Sequence, residues 1–171
     1  LEGCIDQGAD YTAGGARYNP SGIALVGLGT LVDALYALRI AVFDESWLSL
    51  ETLTHCLATN WRDNEALRLR LERLPRYGQG HPQVDSLAQH IAHDLAAHVR
   101  TLPNERGGYF QPSLFVYYAF SDFGKLTGAT PDGRYAGAPL SQGIGPDRRT
   151  SLAGPTSVLH SIAALDLTEH P

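Results

Sequence analysis

Apolar positions along this chain recur mostly at intervals of three and four, the spacing of one face of a helix. From Thr30, Leu31, Leu35, Leu38 and Val42 follow at spacings of four, three and four, which predicts a helix capped by Thr30 with that stripe toward a core. Ser49 suits a second N-cap, opening a helix that carries Leu50, Leu53 and Leu57 toward Asn60, and Trp61 reads as a packing anchor between elements. Asp63 or Asn64 opens a third helix with Leu67, Leu71 and Leu74, ended by Pro75. Its arginines, Arg68, Arg70 and Arg73, are interleaved with Glu65 and Glu72, so they read as a solvated face. Val84, Leu87, Ala88, Ile91, Leu95 and Val99 mark a long amphipathic helix after the turn-rich Pro75–Pro82 break.

The period then changes. Tyr109 to Phe120 is aromatic and β-branched on both faces, which predicts one clear strand near 109–120, buried on both sides. Alternation puts Leu114, Val116 and Tyr118 on one face of it. A short helix is expected over 155–166, with Pro155 in its first turn. Residues 1–29 hold seven glycines and read as shaped loop, within which Gly14-Gly-Ala-Arg-Tyr-Asn19 suits tight chain packing or a backbone cradle near a ligand. It is no Walker motif, because no Gly-Lys-Ser/Thr follows. Neither a repeat nor an internal linker appears, so residues 1–171 read as one structural unit.

At 171 residues, 43% hydrophobic and 18% charged, the chain has the size and composition of a globular piece. A formal net charge of -5 gives no general attraction to nucleic acid or anionic lipid. No apolar run reaches the roughly 18 residues of a membrane span, and Leu1 opens no signal-peptide series, so the default compartment is cytoplasmic. Cys4 and Cys56 are too few and too far apart for a disulfide framework or a CxxC metal site. His90 and His93 share a helix face, but no further Cys or carboxylate motif completes a zinc site, so no metal is expected. The chain has no methionine, which is compatible with a fragment.

The densest chemistry lies in Thr127–Pro139. Pro131 presets a turn, Gly133 supplies a positive φ, Asp132 accepts from backbone N–H groups, and Arg134 offers a fork of donors. Asp132, Gly133 and Arg134 suit a structural loop, the commoner use of Pro-Asp-Gly, or an anion-binding one.

Gly124-Lys-Leu-Thr-Gly-Ala-Thr-Pro-Asp-Gly-Arg-Tyr-Ala-Gly-Ala-Pro-Leu140, followed by Gly154-Pro-Thr156 and Ser161-Ile-Ala-Ala-Leu165, resembles the signature of the glycyl radical enzymes, the pyruvate formate-lyase superfamily. Cys4-Ile-Asp-Gln-Gly8, Gly14–Asn19, Val42-Phe-Asp44, Pro75-Arg-Tyr-Gly78 and Val84-Asp85 fall in the family's order, and Gly14–Asn19 with Gly154–Thr156 resemble its glycerol/diol dehydratase and choline lyase branch. The resemblance implies an α/β fold in which this chain is a mostly helical fragment of a ten-stranded α/β barrel. It implies radical cleavage of a C–O, C–N or C–C bond in a small polar molecule, and a glycyl radical installed by a radical SAM activating enzyme. Implied partners are the rest of the parent enzyme, that activase, the substrate and a further copy in a homo-oligomer.

The resemblance also marks what the sequence does not contain. Cys4 stands in Cys-Ile-Asp-Gln, not in the family's Gly-Cys-Val-Glu motif, and no glycine stands in its Arg-Val-x-Gly-Tyr context. No catalytic residue and no bound cofactor is therefore expected in this chain, which would be inactive alone. Tyr118 is the candidate for a substrate pocket. The alternative is a noncatalytic binding or structural module derived from the family.

Overall fold

The structure is a computed structural model and describes residues 2–150 and 154–167. A short first helix, α1 (Cys4–Gln7), ends at Gly8 in the left-handed conformation, and a single 3-10 turn over Tyr11–Ala13 is capped by Asp10, whose side chain accepts from the Thr12 N–H at 2.8 Å. A strand follows, β1 (Ser21–Ala24), and Gly27, with φ 85, turns the chain into α2 (Leu28–Leu38). Then come α3 (Leu50–Ala58), α4 (Glu65–Glu72), the long α5 (Pro82–Arg100), β2 (Phe110–Ser113), α6 (Ala119–Leu126) and α7 (Pro155–Ala163).

β1 and β2 pair in parallel, Ser21 opposite Phe110 through Ala24 opposite Ser113, with the intervening helices as the crossover. That is the βαβ logic of an α/β fold. In this register the peptide groups of Ser21, Ile23 and Leu25 face β2, so those of Gly22 and Ala24 point away from it. On the far side of β2, the Phe110 N–H donates to the Leu102 carbonyl at 3.0 Å, and Pro112 has no N–H.

Two apolar clusters hold the helices together. Leu28, Val32 and Tyr36 of α2 meet Val84, Ala88 and Ala92 of α5, with Tyr77, Leu114 and Leu165 closing the cluster. Alanines at every fourth position of α5 let α2 approach closely. The second cluster joins Ala37 and Ala41 to Leu53 and Cys56 of α3, Trp61, and Leu71 of α4.

Several expectations need correcting. The core-facing stripe of α2 is Leu28, Val32 and Tyr36, whereas Leu31 and Leu35 are exposed. Thr30 is not the cap but lies in the first turn, where its otherwise unpaired N–H donates to the Ser141 hydroxyl oxygen at 3.0 Å, and its own hydroxyl donates to Asp147 at 3.1 Å. After Leu38 the helix widens into a π-helical turn, Arg39–Asp44, which rotates Phe43 outward and Ala41 into the core. The strand expected near 109–120 ends at Ser113 because its partner ends where Gly27 turns away. β1 is a strand inside the stretch read as loop. Arg68 is buried rather than solvated. The Ser49 cap, α5 and α7 lie where the periodicity put them, and His90, His93 and His98 are exposed.

Candidate functional site

Thr127–Pro139 is built from the backbone up. The Thr130 N–H donates to the Arg134 carbonyl at 3.1 Å and the Gly133 N–H to the Thr130 carbonyl at 3.0 Å, closing a tight turn. Gly133 has φ 81, and a Cβ there would lie 2.9 Å from the Arg68 carbonyl oxygen of α4. A side chain at 133 is thus excluded twice, by conformation and by the helix packed on it. Thr130 Oγ1 donates to Asp132 Oδ1 at 2.5 Å, which fixes the carboxylate inside the turn.

Arg134 is wholly buried. Its Nη1 donates to the carbonyls of Gly128 at 2.6 Å and Tyr135 at 3.2 Å, and its Nη2 to those of Gly124 and Thr127, both at 3.3 Å. These ligands span the end of α6 and the loop that follows. Burial opposes the charge and lowers the guanidinium pKa, partly offset by nearby Asp132. No guanidinium face reaches solvent, so an anion in solution has no access to it.

Beneath the turn lies a buried ionic cluster. Asp33 of α2, Asp132 of the loop and Asp147 beyond it face Arg76 and Arg149. Arg76 Nη1 is 3.2 Å from Asp33 Oδ2 and 3.4 Å from Asp132 Oδ2, while its Nη2 donates to the Asp132 carbonyl at 2.5 Å. Asp33 Oδ1 accepts the Tyr77 N–H at 2.8 Å. Arg149 bonds Asp132 Oδ2, and its Nε donates to Asp147 Oδ1 at 2.9 Å. Burial raises the Asp147 carboxyl pKa, but hydrogen bonds and charge from Arg149 outweigh it and hold the group below the usual value. For Asp33 burial wins: despite Arg76 and the Tyr77 amide, its pKa is pushed up to about 7, with Asp132 and Asp147 adding to the rise.

An outer ring covers the turn. Arg68 Nη1 donates to the Gly133 carbonyl at 3.0 Å, Arg68 also bonds Glu65 and Glu72, and its guanidinium lies 4.6 Å from the Tyr135 ring centroid. Tyr135 OH donates to Glu65 at 2.7 Å. The Arg68 bond, then the Tyr135 bond, bring the Glu65 carboxyl down to about 2.

Tyr118 stands apart from this cluster, on the segment that leaves β2 and caps α6. Leu114 and Val116 are buried, but Tyr118 is 74% exposed, so the expected shared face breaks after Val116. Phe115 and Tyr117 are also exposed and meet edge to face at 4.9 Å. With Ala24, Val116, Tyr118 and Ala119 they line an open hollow of about 310 Å³. Gly14–Asn19 packs chain on chain: a Cβ at Gly15 would fall 2.0 Å from the Ala9 carbonyl oxygen, and one at Gly108 would fall 2.1 Å from that of Asn19. No group of three or more His, Cys, Asp or Glu side chains among the described residues could hold a metal ion. Among them, too, no helix is long and apolar enough to cross a membrane.

Sequence reading singled out Asp132, Gly133 and Arg134, which the structure brings together, but missed Asp33, Arg76, Asp147 and Arg149. One signal was available: Asp33 interrupts the apolar run Leu31-Val-Asp-Ala-Leu-Tyr36, where an acid needs a partner.

The chain belongs to the pyruvate formate lyase-like family, whose model matches residues 1–124. It is 35% identical over 167 residues to the trans-4-hydroxy-L-proline dehydratase of Clostridioides difficile, a match covering 97% of this chain and 21% of that protein. The glycerol-bound form of the B12-independent glycerol dehydratase from Clostridium butyricum superposes with a TM-score of 0.93 at 37% identity, over 97% of this chain and 21% of the other. A glycyl radical enzyme from Archaeoglobus fulgidus gives 0.94 at 29% identity, over 100% and 22%. The chain therefore spans about a fifth of the length of these relatives.

Proposed function

We propose that this chain is a piece of a glycyl radical dehydratase or lyase acting on a small polar molecule, and that it performs no radical chemistry by itself. One observation carries the reading: relatives of this class match along 97% of the chain, yet the sequence contains neither the Gly-Cys-Val-Glu nor the Arg-Val-x-Gly-Tyr motif. Gly15, Gly108 and Gly133 answer to close backbone approaches, and the radical would reside elsewhere in the enzyme.

The contribution assigned to these residues is architectural. The parallel β1–β2 pair would form part of a barrel wall. Asp132, Gly133 and Arg134 would shape the loop behind it, a role supported by the carbonyl ligands of Arg134. Tyr118, exposed beside β2, would face a cavity completed by the rest of the enzyme and contact substrate there. The partners of that enzyme would be a radical SAM activating enzyme, which installs the glycyl radical, and a further copy of itself, in the cytoplasm.

Incubation of the chain with a radical SAM activating enzyme, S-adenosylmethionine and reductant under anaerobic conditions tests the inactivity, read by electron paramagnetic resonance. No glycyl doublet is expected, and neither hydroxyproline nor glycerol should be turned over. A doublet arising on this polypeptide would overturn the reading.

A further inference from the structure

In the buried cluster three carboxylates share ion pairs with two guanidinium groups, while the nearby Arg134 guanidinium spends its hydrogen bonds on loop carbonyls. Arg149 is engaged by Asp132 and Asp147, with Glu72 of α4 3.7 Å from its Nη1. Among the described residues Asp33 pairs with the Arg76 guanidinium, and that group is already committed to the loop through the Asp132 carbonyl and shared with the Asp132 carboxylate. Asp33, Asp132 and Asp147 are 2%, 1% and 4% exposed, so water cannot screen them from one another. The groups facing this site come from every packed element: Thr30 of α2, Glu72 of α4, Arg76 and the Tyr77 amide before α5, Asp132 and Arg134 of the loop, and Asp147 and Arg149 after it. His81 sets its ring edge-on to Tyr36 of α2 at 6.0 Å, one turn along from Asp33.

We propose that Asp33 is a proton-operated clasp on the Pro131–Arg134 turn: protonated, it leaves Arg76 to Asp132, and ionised, it draws Arg76 Nη1 away from the Asp132 carboxylate and slackens the grip of Arg76 on the loop. The geometry supports this because one nitrogen, Arg76 Nη1, stands between the two carboxylates at 3.2 and 3.4 Å. A small shift decides which it serves. The sign of the linkage follows from burial. A carboxyl whose value rises from 3.8 to about 7 on folding stabilises the folded chain fully below the unfolded value, and that contribution is lost as pH rises through about 7.

The reporter is Trp61, whose Nε1 donates to the Arg134 carbonyl at 3.1 Å. In a Trp47→Phe background, Trp61 emission and the melting temperature are followed from about pH 5 to about pH 9, a window above ordinary carboxylate titration. One transition near neutrality is expected in both readouts, and it should vanish in Asp33→Asn while persisting in His81→Gln. A transition that survives Asp33→Asn, or disappears with His81→Gln, overturns the clasp. If Asp33→Asn does not fold, carbon-13 NMR of the unsubstituted chain decides: the Asp33 carboxyl should titrate near neutrality together with the Trp61 indole N–H. Titration of Asp33 in the ordinary carboxylate range, or without the indole signal moving, would reject the proposal.

Discussion

Trp61 holds Arg134 by its main chain while the Arg134 side chain holds the loop. The indole N–H donates to the Arg134 carbonyl across 3.1 Å, and the guanidinium points the other way, into four carbonyls of Gly124–Tyr135. Trp61 itself is 2% exposed and sits at φ 66, a conformation rarely taken by a bulky residue. Trp61→Phe keeps the ring packing and removes the donor, leaving a buried carbonyl without that bond. The expected loss is about 1–3 kcal/mol in urea unfolding. A Trp61→Phe chain as stable as the original would mean the hydrogen bond contributes nothing.

Arg134→Ala should destabilise more than Trp61→Phe, because several carbonyl acceptors lose a charged donor at once, each such bond being worth roughly 1.5–3 kcal/mol. Arg134→Lys should recover little, since an ammonium cannot reproduce the planar fork. Thermal melts of the two variants make the comparison. Equal stability of Arg134→Lys and the original chain would refute the fork argument.

Glycine substitutions should separate by position. Gly15→Ala and Gly108→Ala put a Cβ 2.0 and 2.1 Å from backbone carbonyl oxygens, so both should yield little folded chain. Gly22→Ala meets nothing within 4 Å and should be near neutral, within about 1 kcal/mol. Soluble yield and circular dichroism read both outcomes, and a well-folded Gly15→Ala would contradict the close packing.

The exposed aromatic segment should make the chain sticky. Phe115, Tyr117 and Tyr118 are 62%, 75% and 74% exposed on neighbouring positions, alongside Leu126 at 85%. The chain is expected to bind a hydrophobic dye and to self-associate by sedimentation. Replacing the three aromatics with serine should reduce both without lowering the melting temperature. Unchanged dye binding in that variant would place the sticky surface elsewhere.

Ser49→Ala tests the start of α3. The Ser49 hydroxyl accepts the Thr52 N–H at 3.1 Å, and losing such a cap costs about 0.5–2 kcal/mol. Ser49→Asp should restore the loss, and a chain indifferent to either change would show that tertiary packing alone fixes this end.

Local rules made much of this legible. Ser49 announced its helix because capping needs only residues close by, and the Pro-Asp-Gly-Arg turn announced itself because φ at Gly133 is a local requirement. Long-range pairing was silent. β1 contains a glycine and four residues in all, and its partner lies beyond four helices, so nothing nearby marks it as a strand. The aromatic run after Ser113 misled for the opposite reason. Its composition suits a sheet, but the ladder stops with the last β1 bond, Leu25 N–H to the Ser113 carbonyl at 2.8 Å. The ionic cluster draws Asp33, Arg76, Asp132 and Arg149 from four separate stretches, and only the fold makes them neighbours.

The two sides of the parallel pair differ in what they offer a newcomer. Beside β2, Phe110 has already given its N–H to Leu102 and Pro112 has none, so an approaching strand would find no amide donor at either position. Beside β1, the peptide groups of Gly22 and Ala24 point outward, and Gly22 has no side chain to hold a neighbour off. The sheet therefore has a direction of growth. The β1 flank offers outward peptide groups to a further strand, and Pro112 withholds a donor on the opposite flank.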